Sequence, residues 1–448
     1  MSMKYLNELH EIESNWDIRR IKVNGFNAWV LLKDKIYQAI LKNKSNYSAK
    51  LRTRKKAVLL KSFFYGIFTL FKLKNMDFLF FTNTNKRKLI KSKYYDTLFD
   101  AWADRIGQEK VCFIEWANSG HLDKKDIYSK NIVSDLPFKF ASYLCSIFVV
   151  LKMKEEHILL DICDKYNLNI NVKRELKLKL GTIYFYKWLF SLIKPKAIFV
   201  LSSYSKVPIV IAAHLLRIKV VEPQHGYIGK NHQFYYKYAN YSKLYFPDYL
   251  LSFGDHEKRM SYDNFVFNEE DILPIGSYYL ENIKNNFESQ ELSNLRKSFN
   301  KVFCVTLQSI HEDELLKWVK REAKLHSDWV FILRSKYSVN GYDKYLSIDN
   351  IVMLNQYNIY HILKYSDINI TIFSTTAIEA DFFNVKTFFF NIEGLSEKYF
   401  DIKKMFACKF ELGQSISERD FLSENRKNSY FRDDYDGNVN STNLEMII

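Results

Sequence analysis

Gln224-His225-Gly226 lies in the run Lys219-Val-Val-Glu-Pro-Gln-His-Gly-Tyr-Ile-Gly229, where a short β-branched stretch ends abruptly at Pro223. The pattern predicts a strand running into a loop that carries an imidazole. In open α/β sheets ligands bind at the carboxyl ends of the strands, so a histidine there is placed for chemistry. With an ordinary pKa near ~6.5, it can take a proton from a hydroxyl at neutral pH or donate a hydrogen bond to a phosphate or carboxylate. Glu222 is close enough in sequence to orient His225, although residues flanking a Pro turn need not touch. The plainer alternative is a histidine packed at a strand end for structure.

A second unit of the same kind is Ile368-Asn-Ile-Thr-Ile-Phe-Ser-Thr-Thr-Ala-Ile-Glu379. Here a buried strand runs through Ser374, Thr375 and Thr376 into a helix. Unpaired N–H groups and the dipole at a helix start suit a phosphate, the hydroxyls add donors, and Glu379 can accept both hydroxyls of a ribose. Read alone, Ser-Thr-Thr is a good helix N-cap. Gln308 and Ser309 after Thr306-Leu307, Ser277 after Gly276, and Arg334 and Lys336 at a further strand end are additional phosphate-binding candidates. On the front side of the cleft stand Gln224, Gly226 and two sources of a carboxylate base. Glu115 closes a strand before Asn118-Ser-Gly-His121, while Asp96 and Asp100 have i,i+4 spacing, which a solvated helix face also explains.

The elements that must hold these residues follow from periodicity. Residues 1–75 read as a helical, basic extension without turn punctuation, and 76–275 as a first α/β domain. In that domain strands lie at 77–82, 111–116, 197–201 and 219–222, a helix at 94–104, and long helices over 137–192. Residues 276–415 alternate strand and helix in the manner of a doubly wound nucleotide-binding domain, and 416–448 form a polar tail. No Gly-rich phosphate loop of the Walker or GxGxxG kind is present. Asp434-Tyr-Asp436 has the spacing of a metal-binding triplet but lies in the tail.

The chain has 448 residues, 47% hydrophobic and 26% charged, enough for two cored domains. Five scattered Cys without a CxxC pair fit a reducing cytoplasm. The start lacks an apolar signal core, and no run of ~18 uncharged apolar residues is present to span a bilayer. A formal net charge of +15 leaves nucleic acid, anionic lipid or a phosphorylated substrate as partners. The lysines are spread and no nucleic-acid motif is present, which argues against the first. Lys50 to Lys56, rich in Lys and Arg, leads into the aromatic, apolar stretch 57–71. That stretch reads either as a core-facing helix with a basic start or as one lying among lipid headgroups. Residues 173–194 carry the same ambiguity.

A strand, Ser/Thr pairs, then a helix carrying Glu resembles the donor-nucleotide site of GT-B glycosyltransferases. Pro223-Gln-His-Gly226, followed by His232, Tyr235, Pro247-Asp248, Phe253-Gly254 and Ile275-Gly-Ser277, is similar to bacterial capsule and surface-carbohydrate biosynthesis proteins. The resemblance covers residues 190 to 395. It implies an α/β, GT-B architecture: two Rossmann-like domains with parallel sheets facing across a cleft. It also implies a nucleotide-sugar co-substrate with no catalytic metal or other cofactor, and a glycan or glycolipid acceptor. The basic charge then serves to attract anionic donor and acceptor and to hold the enzyme in peripheral contact with the inner face of the membrane. The donor implied is a CMP-activated nonulosonic or Kdo-type sugar, with UDP and GDP sugars open. A CDP-polyol phosphotransferase of the teichoic-acid type and a non-catalytic nucleotide- or glycan-binding scaffold are the alternatives. The His-Pro pair of CMP-sugar enzymes is replaced here by Arg334-Ser-Lys-Tyr337.

Overall fold

The computed structural model describes residues 7–44, 56–90, 92–117, 120–229, 232–237, 239–259, 264–308, 310–335, 342–411, 413–421 and 430. Ser309, Lys336, Asp434, Asp436 and most of the 50–56 cluster lie outside them. Helix α1 (Asn7–Asn15) precedes a hairpin, β1 (Lys22–Val23) and β2 (Phe26–Asn27), and then α2 (Ala28–Lys44). The hairpin corrects the all-helical expectation. Asn24 and Gly25 take φ of 48° and 88°, the left-handed pair that a tight Asn-Gly turn demands. Trp29, Leu32 and Ile36 of α2 share a core with Leu176, Leu180 and Ile183, so the extension is built into the first domain.

Helices α3 (Lys56–Phe64) and α4 (Ile67–Leu70) lead to β3 (Phe78–Asn83), the hairpin β4 (Arg87–Ile90) and β5 (Lys93–Asp96), α5 (Asp100–Ile106), β6 (Val111–Trp116) and β7 (Ile132–Ser134). The helix expected over 94–104 is divided. Asp96 Oδ1 accepts the backbone N–H groups of Leu98 and Phe99, a turn that ends β5 and lets α5 start afresh. Next come α6 (Leu136–Ile147), β8 (Met153–Lys154), which pairs with β1, α7 (Glu156–Lys165) and α8 (Val172–Ile193). The domain finishes with β9 (Ala197–Val200), α9 (Val207–His214), β10 (Lys219–Pro223), β11 (Tyr249–Ser252), α10 (His256–Arg259) and β12 (Ile272–Pro274). Seven strands form one sheet in the order β12-β11-β10-β9-β3-β6-β7, with every pairing parallel.

Helices α11 (Tyr278–Asn286) and α12 (Gln290–Ser298) cross to the second domain. Its sheet, β15-β14-β13-β16-β17-β18, is also wholly parallel. Strands β13 (Lys301–Leu307), β14 (Trp329–Ser335), β15 (Ile351–Met353), β16 (Ile368–Thr371) and β17 (Lys386–Phe390) alternate with α13 (Glu312–Leu325), α14 (Asp343–Leu346), α15 (Ile359–Lys364) and α16 (Thr376–Phe382). Strand β18 (Ala407–Phe410) completes the edge after α17 (Leu395–Tyr399). Phe303, Val305, Phe331 and Leu333 face one core, and Val302, Cys304, Val330 and Ile332 face the other. Burial on both faces is why these strands read as unbroken apolar runs. Each such Phe contributes about 2–3 kcal/mol of burial free energy. Two parallel-sheet α/β domains joined in this way are the GT-B architecture. Tyr227 stacks near Phe400, with centroids 4.7 Å apart, where the domains meet.

Candidate functional site

His225 sits two residues beyond the end of β10, and the turn that carries it is held from below by Gln224. Gln224 Nε2 lies 3.0 Å from Gly226 O and 2.7 Å from both Glu257 Oε1 and the Tyr430 hydroxyl, while Oε1 accepts the Phe253 N–H at 2.7 Å. Gln224 is buried and fully engaged, so it positions the turn and does not face the cleft. His225 Nε2 is 3.1 Å from Ser202 Oγ, and its backbone carbonyl accepts Lys86 Nζ at 3.5 Å. Its Nδ1 is buried and makes no hydrogen bond among the described residues. Burial, then the charge of Lys86, the neighbouring His232 and the charge of Lys206, hold the His225 pKa well below the ordinary value. The ring is therefore neutral at pH 7.

Glu222 does not orient His225. Its Oε1 accepts the Ser203 N–H at 3.0 Å and the Tyr235 hydroxyl at 2.7 Å, and its Oε2 accepts Ser203 Oγ at 2.6 Å. Residues three apart on an extended chain point to opposite faces, which sends this carboxylate into the core. It ties β10 to the turn after β9, and burial raises its pKa.

The hydroxyl-rich loop after β16 meets this turn directly. A Cβ placed on Gly226 would lie 3.4 Å from Thr375 Cγ2. The carboxyl ends of the two sheets thus face one another across this contact. The helix start is less open than its sequence suggests. Thr376 N donates to Ser374 Oγ, Ala377 N to Ser374 O, and Ile378 N to Thr375 O. Thr376 is buried, with Oγ1 3.3 Å from Thr306 Oγ1. Gln308 Oε1 braces the loop by accepting Thr371 Oγ1 and Phe373 N. Thr376 and Gln308 are therefore structural. Thr375 is exposed and makes no capping hydrogen bond.

Glu379 Oε1 accepts the Tyr360 hydroxyl at 2.9 Å. Burial raises its pKa, against the Tyr360 hydrogen bond and the charges of Lys86 and Lys88. Arg334, at the end of β14, is half-buried and makes no hydrogen bond or ion pair among the described residues. Ser277 belongs with the first domain: it caps α11 and lines a small cavity with Thr97, Trp102 and Gln224.

Glu115 and Asp100 are not free bases, and Asp96 and Asp100 do not form a solvated helix face. Arg87, buried, sends Nε to Glu115 Oε2 at 2.7 Å and Nη1 to Asp100 Oδ2 at 3.2 Å and Ser129 Oγ at 2.7 Å. Ser129 Oγ donates to Asp100 Oδ1 at 2.5 Å, and His121 Nδ1 pairs with Glu115 Oε1 at 2.9 Å. Burial works to raise the Glu115 pKa, but the His121 hydrogen bond and the Arg87 charge win and hold it low. For Asp100 burial wins over Arg87, with Asp96 adding to it, and the pKa reaches about 7.

Two contributors went unread in the sequence. Lys86, in the polar run after β3, looks like an ordinary loop residue, yet it reaches His225 O and acts electrostatically on Glu379. Ser202 takes φ 55° between β9 and α9, a left-handed conformation that a Ser rarely adopts without a reason. Among the described residues no three His, Cys, Asp or Glu side chains are grouped to hold a metal ion. No protein-family model matches the chain, and no curated protein matches it. Among solved structures the chain is similar to UDP-GlcNAc 2-epimerase from Methanocaldococcus jannaschii, over 83% of this chain and 100% of that one, with 10% identity and a TM-score of 0.48. It is also similar to the calicheamicin glycosyltransferase CalG4, over 75% and 86%, with 10% identity and a TM-score of 0.43. The S. aureus MnaA–UDP co-structure aligns over 70% and 79%, with 13% identity and a TM-score of 0.41.

Proposed function

We propose that the chain is a glycosyltransferase that moves a sugar from a nucleotide donor to a surface polysaccharide or lipid-linked glycan. The reading rests on one observation: a neutral histidine with an unpartnered ring nitrogen stands beside a hydroxyl loop from the opposite domain. The acceptor hydroxyl gives its proton to the His225 imidazole as its oxygen bonds to the sugar's anomeric carbon. The bond from that carbon to the donor phosphate breaks, and the nucleotide leaves with the electron pair. Lys86 and Lys88 from the front domain, with Arg334 and the Thr375 hydroxyl from the rear one, offset the charge that develops there. Glu379 and Ser374 shape the donor side. Such an acceptor places the enzyme in the cytoplasm at the inner face of the membrane. Hydroxyls and cations read phosphate and not base, so the donor panel includes CMP-activated nonulosonic and Kdo-type sugars beside UDP and GDP sugars.

The test joins thermal shift with CMP, CDP, UDP and GDP to mass spectrometry of products from the donor panel. At least one nucleotide raises the melting temperature as its excess over Kd grows. His225→Ala lowers turnover by about 10²–10⁴-fold while that stabilisation persists. Stabilisation without turnover of any donor would mean a binding scaffold. Wild-type turnover by the His225 variant would remove the histidine from the mechanism.

A further inference from the structure

Helix α6 is inside out for a helix in water. It buries Phe138, Ser142 and Ser146, while Phe140, Tyr143, Leu144, Ile147 and the following Phe148 face solvent, Phe148 at 85% exposure. The serines are buried because α8 passes very close: a Cβ on Gly181 would stand 2.6 Å from Ser146 Cα. Helices α3 and α4 repeat the inversion. Ser62 and Thr69 are buried, while Leu60, Phe64, Phe68 and Phe71 are exposed, Phe71 at 82%. Tyr184, Trp188 and Leu192 continue the exposed set along α8. The groups adjoin, since the Phe63 and Phe140 rings are 6.0 Å apart and α6 packs along α8. Small residues at helix contacts with large apolar ones outward is the distribution of helices whose surroundings are lipid.

Charge decides what covers this face. Residues 56–76, 136–154 and 176–201 contain no Asp or Glu. Lys61 and Lys187 are exposed on these helices, and Lys72, Lys74 and Lys194 are exposed just beyond their ends. Two copies packed face to face would set lysine against lysine, whereas an anionic headgroup layer complements both the rings and the cations. No helix among the described residues is long and apolar enough to cross a bilayer, so the arrangement suits lying on one. Helix α6 starts after the edge strand β7, at the same end of the sheet as His225 and four strands away from β10.

We propose that α3, α4, α6 and α8 form a docking face for an anionic membrane surface. The experiment is flotation of the full chain with phosphatidylcholine vesicles, with and without phosphatidylglycerol, beside light scattering of the free protein. The chain floats with anionic vesicles and much less with neutral ones. Phe71→Ser and Phe148→Ser each weaken binding by about tenfold. Lys61→Gln and Lys72→Gln each weaken it about fivefold, at low salt only. These side chains are exposed, so circular dichroism melting is expected to match the wild type. Equal flotation of wild type and Phe variants, or no flotation at all, would overturn the proposal. So would a dimer that the Phe variants break, because a second copy would then cover the face.

Discussion

Two polar clusters lie at the carboxyl end of the seven-stranded sheet, and they differ in what is left over. Around Arg87, every oxygen of Glu115, Asp96 and Asp100 already accepts a hydrogen bond, while Arg87 Nη2 and His121 Nε2 have no partner among the described residues. Around His225 one ring nitrogen is engaged and the other is not. With Arg87 and His121 already engaging them, the carboxylates of the first cluster hold the β4–β5 hairpin, whereas the proposed reaction uses the second cluster. The hairpin in turn carries Lys88 and follows Lys86, the residues that reach Glu379 and His225. The largest effect expected from this contrast is structural. Arg87→Met takes the buried cation away from two buried carboxylates and destabilises the protein by about 3–5 kcal/mol in urea unfolding. A loss below ~1 kcal/mol would show that water reaches the cluster and that its carboxylates are available after all.

Acid and base should pull the two clusters in opposite directions. His232, next to the site, has its pKa lowered to about 4, chiefly by burial. A group with a depressed folded pKa that is charged when protonated loses stability as pH falls, here from ~6.5 to about 4, because only the unfolded chain takes the proton. At about 1.4 kcal/mol per unit, the full effect is about 3 kcal/mol. Asp100, raised to about 7, has the opposite sign: its contribution is whole below ~4 and is lost as pH rises to 7. Because the windows overlap, each term is read as a difference from a variant. Relative to His232→Asn, the wild type weakens toward pH 4; relative to Asp100→Asn, it weakens toward pH 7. Two flat difference curves would mean that both groups titrate as they do in water.

The same contrast explains how much was legible beforehand. The succession of strands and helices in the rear domain could be read because its strands are continuous apolar runs, and both cleft loops were located because each follows such a strand. What the side chains do there was not legible, because their partners are far away in the chain. Thr376 is bound by Thr306, Gln308 by Phe373, Glu222 by Ser203 and Glu115 by Arg87. A hydroxyl or carboxylate at a strand end looks the same in sequence whether its hydrogen bonds are spent or free. Asn24-Gly25 was readable in principle, as an Asn-Gly turn, but its strands are only two residues long. The exposed rings of α6 were masked by a composition so rich in Phe and Tyr that aromatic residues carried little signal.

The smallest expected effect concerns Ser202, whose hydroxyl holds His225 Nε2 and touches no reacting atom. A hydrogen bond of this kind contributes about 1 kcal/mol, so Ser202→Ala lowers kcat about fivefold while leaving the donor KM alone. Alanine also keeps the φ of 55°, which costs it about 1 kcal/mol that glycine does not incur. Ser202→Gly therefore loses the same activity as Ser202→Ala but melts higher. The pair separates a hydroxyl that positions an imidazole from a backbone kink that happens to sit beside one. If the glycine variant recovered kcat, the kink would be the operative feature, and the histidine would owe its placement to Gln224 alone.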